Sequence, residues 1–294
     1  MEKVFLLGVG AMKSGTTWLG DSLSSCKNYA KGLKKEYHVF DTGHWFTERR
    51  DSDLSYLRRI LNKNELLLDG SSPKIAKQLT LMSFRQDYKL YFDYFESLAL
   101  KNPNKTIFSD VSPSYCSLSI ETLKFIQTEF GKRGFRLKVI FLMRDPINRL
   151  KSSILHMISS KTFKDFSSGC VDLDIAVREY YNHPMVRQRS DYGLTIKNSD
   201  NALKSDDILY QFYEEMFDEK FALKFGEFVG DSSYNPIFSK RKNDSKDKFQ
   251  AMKNITITDS TYEKVRISMS SVYQFVEYRF GRYPDEWKKS LLHL

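Results

Sequence analysis

The stretch Val4-Phe-Leu-Leu-Gly8-Val-Gly10-Ala-Met-Lys13-Ser14-Gly15-Thr16-Thr17-Trp18-Leu19 carries the deciding pattern. Val4 to Val9 is a short apolar run with β-branched ends, interrupted by Gly8 and closed by Gly10, and it predicts a buried strand. Beyond the loop, Leu19, Leu23 and Cys26 recur at i, i+4 and i+7, the stripe of an amphipathic helix. Strand, glycine-rich turn and helix in that order open an α/β protein. The loop between them suits an anion. A helix start offers unpaired N–H groups and a positive dipole end, and glycines allow close backbone approach. Lys13 adds a full charge, and Ser14, Thr16 and Thr17 add hydroxyls. The run departs from G-x-x-x-x-G-K-[ST], because Lys13 precedes the last glycine, and this disfavours a magnesium-dependent ATPase or GTPase.

Working outward, strands are predicted at Thr106–Ser109, Lys138–Met143 and Ile208–Tyr213. Leu123, Ile126 and Phe130 have helical spacing. Asp145-Pro146 predicts a helix start, since Asp caps free N–H groups and Pro suits the first helical position. Ile147, Leu150, Ile154 and Met157 form the buried stripe of that helix. Residues 48–105 read as mostly helical, on the spacing of Leu54, Leu57 and Leu61 and of Tyr88, Tyr91, Phe92 and Phe95. Ser260-Thr-Tyr-Glu263 reads as a capping box ahead of Val265, Met269, Val272 and Val276. One domain over residues 1–294 is the economical organisation, with a helical insertion at 48–87.

The 294 residues include 46 Lys and Arg against 37 Asp and Glu, a net charge of +9 that favours an anionic partner. The basic residues are spread along the chain without an RNA-binding or zinc-finger signature, so nucleic acid is not expected. No apolar run approaches the roughly 20 residues of a membrane span. The amino-terminal apolar run is too short for a signal peptide, and the three cysteines are odd in number, so a reducing cytoplasm is expected. Without a signal, the patterns at Asn104, Asn243 and Asn254 read as chance sequons rather than glycosylation sites. The five histidines lack ligand spacing, so no metal is expected.

Lys13-Ser14-Gly15-Thr16-Thr17-Trp18 resembles the phosphosulfate-binding loop of the sulfotransferases, which use 3′-phosphoadenosine 5′-phosphosulfate (PAPS) as donor. A second match is Val139-Ile-Phe-Leu-Met-Arg144-Asp-Pro146-Ile-Asn-Arg149-Leu-Lys-Ser152. The resemblance implies that Arg144 and Ser152 bind the donor's 3′-phosphate. It also implies a P-loop NTPase-like three-layer fold, with a central, mainly parallel sheet flanked by helices. Phe238-Ser-Lys240-Arg241-Lys242-Asn243 is similar to the loop that closes over the donor, which adds Lys242 and Asn243 to the donor site. The Tyr273 to Trp287 ending resembles the family's terminal helix and tail.

Lys35-Glu36-Tyr37-His38-Val39-Phe40-Asp41 resembles the Glu-x-His-Phe segment of the carbohydrate, heparan sulfate-type enzymes, and implies Glu36 as general base. Phe108-Ser-Asp110-Val111-Ser112-Pro113-Ser114-Tyr115 resembles the Glu-Lys-Thr-Pro-x-Tyr segment, with Val111 in place of an active-site lysine. Lys35, His38, Asp110 and Ser112 are the substrate-binding candidates, while Lys13 and Glu36 are the catalytic ones. The expected reaction passes the sulfuryl group from PAPS to a hydroxyl or amine, on a carbohydrate acceptor, with the desulfated nucleotide PAP as product. The alternatives are a small-molecule or peptide-tyrosine sulfotransferase, a nucleotide kinase with a variant P-loop, and a non-catalytic relative binding PAPS or a sulfated glycan.

Overall fold

β1 (Lys3–Gly8) is the inner strand around which the sheet is laid. It pairs in parallel with β2 (Ile107–Val111) on one side and β3 (Phe135–Met143) on the other, and β3 pairs in parallel with β4 (Ile208–Phe212). The order β2-β1-β3-β4 brings Gly8 level with Val111 and Ile140, so the carboxyl ends of three strands share one edge. This computed structural model describes residues 2–41, 51, 53, 55, 73–159, 173–238 and 257–291.

Side chains alternate across each strand, and the two core clusters follow that alternation. Phe5, Leu7, Val139 and Phe141 face one cluster, which also holds Tyr91, Phe95, Phe130, Leu150 and Tyr273. Leu6, Ile140, Leu142 and Leu209 face the other, with Trp18, Leu19, Phe221 and Phe225. Helices therefore cover both faces of the sheet, which is why the strands read as near-continuous apolar runs. The first cluster takes α2 (Pro73–Gln86), α3 (Tyr88–Lys101), α4 (Ile120–Lys132) and α5 (Pro146–Ser159). It also takes α6 (Leu173–Tyr180), α7 (Pro184–Ser190), α8 (Tyr192–Ala202), α10 (Asp259–Phe280) and α11 (Asp285–Leu291). The second takes α1 (Thr16–Ser22) and α9 (Glu219–Val229).

The α/β expectation is met by this layering, and three details differ. The first helix ends at Ser22 and tightens into a 3-10 turn over Leu23–Ser25, so Cys26 meets the apolar cluster from beyond the helix. The last predicted strand stops at Phe212, because Tyr213–Glu215 turns away as a 3-10 segment. The capping box at Ser260 is not the start of α10. Thr258 is the cap, its Oγ1 accepting from Thr261 N at 3.3 Å. Asp174 of α6 accepts from Thr258 N, Thr258 Oγ1 and Thr261 Oγ1, so a tertiary contact sets the start two residues earlier. Within the predicted insertion, Pro73–Gln86 is helical, while Leu54, Leu57 and Leu61 lie outside the described residues. Among the described residues, no helix is long and apolar enough to cross a membrane.

Candidate active site

The loop after β1 is bound to β3 before it turns: Val9 N donates to Ile140 O, Ala11 N to Leu142 O, and Leu142 N to Gly10 O, at 2.7–3.0 Å. Lys13 (φ 69°) and Gly15 (φ 83°) then take left-handed conformations that fold the loop over the sheet edge. At Gly15 no side chain fits, because a Cβ would stand 2.9 Å from Met216 Sδ and from the Tyr213 ring. Ser14 is wholly buried, and among the described residues its Oγ has no hydrogen-bond partner. Trp18, by contrast, turns into the apolar cluster against Phe217, Phe221 and Phe238, so its indole supports α1 from beneath.

Arg144 follows β3 and comes to the same loop. Its Nη1 donates to Lys13 O at 3.0 Å, and its guanidinium lies 4.7 Å from the Tyr213 ring centroid. Tyr192 Oη donates to Arg144 O at 2.6 Å. The next residue, Asp145, is buried and caps α5 through Ile147 N. It also accepts from Tyr273 Oη at 2.5 Å, from Asn148 Nδ2 at 2.9 Å and from Ser290 Oγ. Asn148 is thereby committed to Asp145 and Ser290, whereas Ser152, one turn further along α5, is half-buried. Tyr213 was not singled out by sequence reasoning. The signal available was an aromatic residue followed by an acid directly after a buried strand, a weak pattern. Lys242 and Asn243 lie outside the described residues.

The second half of the site is the segment 35–41, laid along the end of β2. Val111 N donates to Lys35 O at 2.8 Å, and Tyr37 N to Asp110 Oδ1 at 3.2 Å. His38 takes a left-handed turn (φ 55°), and its N–H donates to Ser112 Oγ at 3.1 Å. Its ring is held at both nitrogens: Nε2 is 3.0 Å from Glu36 Oε2, while Nδ1 is 2.9 Å from Ser114 Oγ and 3.2 Å from Asp41 Oδ2. Glu36 Oε1 is 2.5 Å from Lys35 Nζ, which also donates to Thr17 Oγ1 at 3.3 Å. Burial alone would push the Glu36 carboxyl up. The His38 hydrogen bond and the Lys35 ammonium outweigh it and hold the group at about 2. Glu36 is therefore ionised at neutral pH.

Two of the expected substrate-binding residues lie inside the protein. Asp110 is fully buried and accepts from Tyr37 N, Tyr91 Oη, Tyr115 Oη and Ser112 Oγ. Burial pushes its carboxyl up to about 6, against the pull of these donors. Ser112 is equally buried, donating to Asp110 while accepting from His38 N. Both side chains are engaged inside the protein, and together they set the His38 turn. Val111, where the resembled motif has lysine, is buried against Gly8. Among the described residues, no group of three or more His, Cys, Asp or Glu could hold a metal ion.

No family model matches the chain, and no curated protein matches it. Solved structures do. A sulfotransferase from Alicyclobacillus acidocaldarius is 15% identical over 98% of this chain and 100% of that one, with a TM-score of 0.59, and so shares the fold. A sulfotransferase domain from the Synechococcus PCC 7002 olefin synthase is 17% identical over 96% and 95% of the two chains, at a TM-score of 0.49. One from the curacin biosynthetic pathway is 14% identical over 96% and 99%, at 0.48.

Proposed function

We propose that this chain is a PAPS-dependent sulfotransferase acting on a hydroxyl or amine of a carbohydrate acceptor, with residues 1–294 forming one catalytic domain. The observation that carries the reading is the reach of Lys35, whose ammonium touches both Glu36 and Thr17 and so places an ionised carboxylate beside the anion loop. The sharing of a fold with a sulfotransferase supports it.

PAPS supplies an activated sulfuryl group. Lys13 and the loop N–H groups neutralise the charge on that group and on the departing phosphate. The buried Ser14 hydroxyl, without a partner among the described residues, fits an anion in the loop. Arg144 and Ser152 receive the 3′-phosphate, and Lys242 and Asn243 complete the set of donor-binding residues that the sequence resemblance implies. Glu36 takes the acceptor proton as the acceptor oxygen or nitrogen bonds to sulfur. The bond from sulfur to the bridging phosphate oxygen breaks, and PAP leaves with that electron pair. His38, braced by Asp41 and Ser114, holds Glu36 in position. As in phosphoryl transfer, the protein contributes mainly positioning and electrostatics.

Calorimetric titration with PAP and with ATP, without metal, tests the donor assignment. PAP is expected to bind in preference to ATP. Arg144→Ala is expected to weaken PAP by about 10²-fold, the cost of truncating one partner of a hydrogen-bonded charge pair. A preference for ATP with magnesium would return the loop to the nucleotide kinases.

A further inference from the structure

Lys35 is fixed by two elements that belong to the two halves of the site. Its carbonyl accepts the Val111 N–H, which pins the residue to the end of β2. Its aliphatic stem crosses Gly20 of α1 so closely that a Cβ there would fall 2.5 Å from Lys35 Cγ and Cδ. Only 21% of the side chain is exposed, so the ammonium has little water to fall back on. It spans Glu36 Oε1 at 2.5 Å and Thr17 Oγ1 at 3.3 Å. An anion seated at Thr17 and the Glu36 carboxylate therefore compete for one cation.

We propose that Lys35 couples occupancy of the anion loop to the basicity of Glu36. A bound anion draws the ammonium toward Thr17, and the carboxylate changes from an ion-pair partner into a proton acceptor. The inference rests on the PAPS reading and adds to it an order of events: the base is released only when the donor is in place. Among the described residues, the groups facing Glu36 are Lys35 and His38, with Asp41 and Ser114 behind His38. His38 is braced at Nδ1 by Ser114 and Asp41, which leaves Lys35 as the movable partner. The resting ion pair suits this role. A carboxylate held at about 2 is a weak base at neutral pH, and a general base works best with a pKa near the operating pH.

The test needs no acceptor. PAP affinity is measured by calorimetry for the unaltered protein, Lys35→Met, Glu36→Gln and the double variant. Glu36→Gln frees the ammonium for the anion and is expected to tighten PAP by about 5-fold or more. Lys35→Met is expected to weaken it by a comparable factor. In the Lys35→Met background, Glu36→Gln should retain only the smaller gain from removing a nearby negative charge. Equal effects of Glu36→Gln with and without Lys35 overturn the coupling and leave the donor assignment standing. Absence of PAP binding by the unaltered protein overturns the donor assignment itself. Gly20→Ala provides a check that keeps the lysine. The added methyl pushes the Lys35 stem aside, so the Glu36→Gln gain should shrink, while a cooperative thermal transition shows that the variant still folds. An undiminished gain in that variant counts against the proposal.

Discussion

Glu36→Gln is expected to lower turnover of PAPS with a sugar acceptor by about 10²–10⁴-fold, the usual worth of a positioned base. PAP binding should survive, because the amide keeps the shape of the side chain and removes only its charge and basicity. Release of PAP, followed with a panel of sugar acceptors, reads the effect. Unchanged turnover would place the base elsewhere. The same substitution has a stability signature. The Glu36 carboxyl is held below its ordinary 4.5, so its pairing with His38 and Lys35 stabilises the fold above that value. That contribution is lost as pH falls from 4.5 toward 2. The stability gap between the unaltered protein and Glu36→Gln should therefore narrow across that window in urea unfolding.

The second large effect lies at Asp145, which touches no substrate. Asp145→Ala removes a helix cap and deprives Tyr273, Asn148 and Ser290 of their shared acceptor. A cap is worth about 1 kcal/mol, and hydrogen bonds to a charged group roughly 1.5–3 kcal/mol each. Stranded buried donors raise the cost, so a loss of about 3–5 kcal/mol is expected in denaturant unfolding. Arg144 stands immediately before Asp145, so PAP affinity should fall as well. A loss below about 1 kcal/mol, near that of a cap alone, would show that the neighbours find other acceptors.

Local chemistry was legible from the chain alone. The first strand, its loop and α1 follow from an apolar run, three glycines and a helical stripe, all between Val4 and Cys26. Asp145 announces its helix because capping is a contact over two or three positions. Contacts across the chain were not legible. Asp110 reads as an acid in a motif, yet four donors gathered from residues 37, 91, 112 and 115 enclose it. Tyr213 reaches Gly15 only because β4 lies beside β3 at the sheet edge. Asp174 moves the start of α10 from a distance of 84 residues, where local pattern has no purchase. The pairing of Lys35 with Thr17 depends on how α1 lies over the end of β2, a matter of packing rather than spacing.

The ties of Asp145 to Tyr273 and Ser290 have a consequence for synthesis of the chain. Residue 145 leaves the ribosome long before residues 273 and 290, and until they arrive its carboxylate lacks two of its donors. Tyr262 adds a further late tie, through its bond to the Ser290 carbonyl. The arginine beside Asp145 is thus framed last, although the loop it serves is made first. A nascent or prematurely terminated chain carries the loop after β1 without its finished counterpart. Fragments that end before residue 273 would then hold Arg144 less firmly against Lys13 O.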